Sequence, residues 1–155
     1  MVGTNFLRAL YAGNLLWHAS AFIHFSFRQK FMMHKLAKRP QSKTPSISSL
    51  PEGDPWHHDI MAYLGYINVG YAVLAGIRLW SHTKNPTLAT SETDLDVLAL
   101  AILGIANASQ AWANFVLSAP SGRWIMGTGL DRITVLDALF TILDGYVVAS
   151  SIIGL

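Results

Sequence analysis

Apolar residues fall in four stretches near the ~20 residues that a bilayer core requires: Asn5 to Phe27, Ile60 to Trp80, Val97 to Ser118 and Ile133 to Leu155. The second and third carry no charge until Arg78. Strict alternation of polar and apolar residues is missing, and each run far exceeds the ~5 to 6 residues of a typical strand, so all four predict helices. Ser91, Thr93 and Asp94 precede the third stretch and Pro120 and Gly122 follow it, as helix caps and breakers do. The pattern predicts an all-α integral membrane protein, a single domain of four transmembrane helices in a bundle.

Polar residues inside these stretches are not scattered. At about 100° per residue, Asn14, Trp17, His18, Ala21, His24 and Arg28 fall within an arc of about 120° on the first helix. Asp96, Asn107, Gln110, Asn114 and Ser118 form one stripe on the third helix. Thr134, Asp137, Thr141, Asp144 and Ser151 share a face of the fourth, and its two aspartates stand about 10 Å apart along the axis. The second helix contributes Asn68, beside the small residues Gly65 and Ala72. An aspartate facing lipid costs about 2.5 to 3.5 kcal/mol on insertion scales, so these stripes are expected to turn inward and line one polar interior.

Charge sharpens the membrane reading. Charged residues make up 13% of the 155 residues, against about 25% in soluble domains. Six of the eleven Lys and Arg residues lie between Arg28 and Lys43, where a membrane protein carries topological charge rather than where nucleic acid is bound. This basic loop, residues 28–56, begins as a candidate amphipathic surface helix and continues as a Pro/Ser-rich segment. The first and third loops hold eight Lys and Arg and the opposite side holds three, Arg8, Arg78 and Lys84. That excess predicts a cytoplasmic basic loop with both termini on the luminal or extracellular face. Cysteine is absent, which excludes thiolate catalysis and cysteine-ligated metal.

The candidate chemistry lies in the interior. Two carboxylates in an apolar bundle with few cations nearby are candidates to hold and donate a proton near neutrality, which selects Asp137 and Asp144 as acids. His18 and His24 are the corresponding bases or relays, because imidazole moves protons at neutral pH. Asn14, Trp17, Asn68, Asn107, Gln110 and Asn114 are candidates to bind and orient a substrate. The competing reading is structural, since amides also join helices at roughly 0.6 to 2 kcal/mol per contact. Trp56, His57, His58 and Asp59 form the densest ionisable cluster, but adjacent histidines point about 100° apart, so an interfacial cap explains them better than a metal site. The glycines between Ser121 and Arg132 match no nucleotide-binding fingerprint. No metal and no cofactor is expected.

In size and layout the chain resembles small four-helix membrane proteins, among them sterol-pathway scaffolds and compact isomerases and cyclases of sterol and terpenoid metabolism. The resemblance covers hydropathy and buried acids. Taken together, the residues lead to the expectation of a cofactor-independent, multi-pass membrane enzyme, residing in the endoplasmic reticulum if its cell is eukaryotic. It would catalyse isomerisation, cyclisation or elimination on a lipophilic small molecule such as a terpenoid, sterol or polyketide. A non-catalytic scaffold or lipid-binding subunit of a larger membrane complex is the alternative, and a transport or proton-relay component is the third; a homo-oligomer is compatible with each.

Overall fold

The computed structural model describes residues 2–36, 55–85, 93–118 and 132–154. Its elements are α1 (Thr4–Phe27), α2 (Gln29–Leu36), α3 (Pro55–Lys84), α4 (Thr93–Trp112) continuing into a π-helical turn (Ala113–Ser118), and α5 (Arg132–Ile153). No strand occurs among the described residues. Three helices, α3, α4 with its extension, and α5, are long and apolar enough to cross a bilayer, which makes the chain a multi-pass membrane protein. α1 has a spanning length, about 36 Å at 1.5 Å per residue, but Asn14, His18 and His24 interrupt its apolar run.

The helix limits have local causes. α3 starts at Pro55, a residue suited to a first turn because its missing N–H is not needed there. It continues past Trp80, the predicted end of the second stretch, and the hydroxyls of Ser81 and Thr83 bond back to the carbonyls of Ile77 and Leu79. α1 ends where Arg28 leaves helical geometry at φ −128° and ψ 36°, its N–H still held by the His24 carbonyl. The basic segment then restarts as α2, which docks through the buried Met32.

α1 packs along α3 and α4 packs along α5, and lesser contacts between α1 and α5 and between α3 and α4 join the two pairs. Close approach depends on small residues, as in other membrane bundles. A Cβ on Gly65 would lie 2.8 Å from the Ser26 backbone nitrogen, so α3 can cross α1 there only without a side chain. Gly104 similarly admits the Cβ of Asp144, which a side chain would meet at 3.1 Å.

Leu10, Tyr11, Ala75, Ala99, Leu100, Leu103 and Val147 form an apolar cluster. Much of the remaining interior is polar: Asn14, His18, Asn107, Thr134, Asp137 and Asp144 are fully buried. Leu16, Ile105 and Ile142, in contrast, are 67–70% exposed. This distribution is unfavourable in water and appropriate in lipid, where apolar side chains face the acyl chains and polar groups must find partners inside.

Candidate functional site

α1 organises the polar interior. Tyr11, Asn14 and His18 follow one another at three- and four-residue spacing, so each successive turn carries a polar group to the same face. Each meets a different partner.

At the middle level Asn14 donates from Nδ2 to Asp144 Oδ1 at 2.9 Å and to the Leu10 carbonyl at 3.2 Å. Asn107 on α4 donates to Asn14 Oδ1 at 3.2 Å and reaches Asp144 Oδ2 at 3.4 Å. Three helices thus converge on one carboxylate held by amides. The carbonyl oxygen of Asn107 has no hydrogen-bond partner among the described residues.

Asp137 lies two turns before Asp144 and has a different neighbour: the indole Nε1–H of Trp17 donates to Asp137 Oδ1 at 2.9 Å. Thr141, expected to extend the polar face, instead turns its hydroxyl to the Asp137 carbonyl at 2.7 Å. The inward position near the end of α5 belongs to Ser150 rather than Ser151, which is only half-buried.

His18 turns toward α3, where its Nδ1 stands 2.8 Å from Asn68 Oδ1 and its ring lies against Tyr71. The Asn68 amide is committed to the Leu64 carbonyl at 2.9 Å, so Asn68 Oδ1 must accept and His18 Nδ1 must carry the proton. That tautomer leaves Nε2 as a bare lone pair, buried and without a hydrogen-bond partner among the described residues. No hydrogen bond joins His18 to Asp137 or Asp144.

Other predicted members stand apart. His24 is half-buried and donates from Nδ1 to the Ser20 carbonyl one turn back at 2.8 Å, a local bond that keeps it out of the interior group. Gln110 is half-buried with no hydrogen bond to a described residue, whereas Asn114 is buried within the π-helical turn. Trp56, His57 and Asp59 are exposed at the start of α3, and His58 is half-buried. Among the described residues no three His, Asp or Glu side chains gather as metal ligands. The glycine-containing segment before Arg132, which matches no nucleotide fingerprint in the sequence, lies outside the described residues.

One cluster was not anticipated. Arg78, counted from sequence as an interfacial charge, is buried and pairs with Asp96, its Nε at 3.0 Å and Nη2 at 2.9 Å from Oδ1. His82 donates from Nε2 to the same carboxylate at 3.0 Å, and the Tyr11 hydroxyl donates to it at 2.7 Å. Arg8 closes the assembly by donating twice to the His82 carbonyl. The four-residue spacing of Arg78 and His82 was the available signal, but both lie near a predicted span end, where charge ordinarily faces water.

The interior therefore offers a tautomer-fixed imidazole, an indole-bound carboxylate and an amide-bound carboxylate, a set able to take up and deliver protons without any redox partner. Comparison with protein-family models, with curated proteins and with solved structures gives no match.

Proposed function

We propose that the chain is a membrane-embedded enzyme that carries out a redox-neutral acid/base reaction, an isomerisation, cyclisation or elimination, on a lipophilic small molecule. The observation that carries this reading is His18: Asn68 fixes its tautomer, and its Nε2 lone pair faces the buried interior without a hydrogen-bond partner among the described residues. A buried polar atom left unsatisfied calls for an explanation, and a group supplied by a ligand is one. In this scheme His18 Nε2 removes a proton from the substrate and Asp144 or Asp137 returns one at a second atom. Trp17, Asn14 and Asn107 hold those carboxylates in place. The substrate bridges base and acid, which do not touch each other.

The topology that accompanies this proposal has α1 as a fourth span and both termini on the luminal side, with endoplasmic reticulum membrane as the compartment in a eukaryotic cell. A scaffold or lipid-binding subunit is the second reading. It is favoured by the way Asn14, Asn107 and Asp144 bond mainly to one another, as interhelical glue does.

The deciding experiment is mass spectrometry of small molecules extracted from protein purified in mild detergent, for wild type and Asp137→Asn/Asp144→Asn. Conversion of a discrete lipophilic compound by wild type, with retention but about a hundredfold slower conversion in the variant, supports the enzyme. Equal product formation in both preparations removes the acid role. No specific compound in either, with a poorly assembled variant, establishes the scaffold instead.

A further inference from the structure

We infer that the junction of α1 and α2 is a binding site for the phosphate headgroup of an anionic phospholipid, a feature independent of the reaction proposed above. The helix breaks at Arg28, and an open pocket of about 460 Å³ at the break is lined by Phe27, Arg28, Gln29, Lys30, Phe31 and His58. Arg28 and Lys30 bring two basic side chains to this space and His58 an imidazole, and among the described residues that line it there is no carboxylate. The Arg28 guanidinium lies 4.5 Å from the centre of the Phe31 ring. That contact occupies its face and leaves its in-plane N–H donors for an oxyanion. The Arg28 guanidinium forms no hydrogen bond or ion pair with a described residue, the backbone of Arg28 bonding to His24 and Met32.

The surroundings select a lipid over other phosphate carriers. Phe27 and Phe31 are exposed beside the charges, so the cavity has an apolar wall next to a cationic one, matching the join between acyl chain and headgroup. The site also lies at the end of α1, directly before the segment that carries Lys35, Lys38, Arg39 and Lys43. Clusters of Lys and Arg immediately beyond a membrane helix attract anionic lipid, at about 1 kcal/mol for each such residue near the surface. His58 lines the same space from α3, so a bound headgroup would bridge α3 and the start of α2.

The test uses the full chain in nanodiscs that contain phosphatidylglycerol and phosphatidylcholine, with retained lipids read by native mass spectrometry, for wild type and Arg28→Gln/Lys30→Gln. The expected result is preferential retention of phosphatidylglycerol by wild type, reduced about thirtyfold in the variant, with unchanged helical circular dichroism. Equal retention of the two lipids by wild type overturns the proposal, as does a variant that keeps the wild-type preference. Displacement of phosphatidylglycerol by inorganic phosphate, at concentrations where sulfate of matched ionic strength has no effect, overturns the lipid assignment and identifies a free-phosphate site.

Discussion

Two carboxylates in the same bundle are treated in opposite ways. Asp96 has a cationic partner at salt-bridge distance, a phenol and an imidazole, three side chains contributed by α1 and α3. Among the described residues Asp144 is hydrogen-bonded only by the amides of Asn14 and Asn107, one of them at 3.4 Å, and the Asn107 carbonyl oxygen has no partner there. The first arrangement supplies the counter-charge that a buried carboxylate needs, and it joins α1, α3 and α4. The second lacks a cation among the described residues, so a proton or a ligand is left to complete it. In a low-dielectric interior such differences separate groups that hold the architecture from groups that have chemistry in reserve.

The comparison can be broken most severely at Asp96. Asp96→Asn leaves the Arg78 guanidinium buried without its counter-charge, and loss of one partner of a buried pair costs about 3 to 5 kcal/mol. Thermal unfolding in detergent should show a sharply lowered midpoint and poor recovery of monodisperse protein. A near-wild-type midpoint would mean that the Arg78–Asp96 pair is not what holds α3 to α4.

The next effect is expected at His18, and on turnover rather than stability. His18→Asn keeps a donor where Nδ1 meets Asn68 and removes Nε2. Conversion of the co-purifying compound should fall about a hundredfold or more, the share that general acid/base catalysis usually supplies, while the unfolding midpoint changes little. A variant that converts at the wild-type rate but unfolds early would turn His18 into a packing residue.

The smallest effect belongs to the amide network. Asn107→Ala removes the long hydrogen bond to Asp144 and the bond to Asn14, and interhelical polar contacts of this type contribute about 0.6 to 1.7 kcal/mol. A loss in that range by chemical denaturation would confirm the network as modest glue around Asp144. A loss as large as that of Asp96→Asn would erase the contrast between the two regions.

Much of the candidate site was legible in the sequence. The inward orientation of Asn14, His18, Asn107, Asp137 and Asp144 follows from helical spacing combined with the cost of polar groups in lipid. Spacing could not reveal that His24 bonds to its own helix, because a residue on the edge of a polar face is free to satisfy itself one turn back. It also could not show that His18 pairs with Asn68 while the aspartates pair with Trp17 and Asn14, since that depends on how helices rotate against one another. Arg78 is the clearest miss: hydropathy assigns a charge near a span end to water, whereas here it is buried and paired with Asp96 from another helix.

What the sequence alone determined was the helical, membrane-spanning character of the chain and which faces are polar, because both are set by local periodicity and by transfer energies that act residue by residue. The tertiary structure decided the pairing: which amide meets which carboxylate, where glycine lets α3 cross α1, and which buried ring nitrogen is left without a partner. Those outcomes depend on the relative rotation and depth of whole helices. Such quantities come from packing every contact at once and are not encoded at any single position.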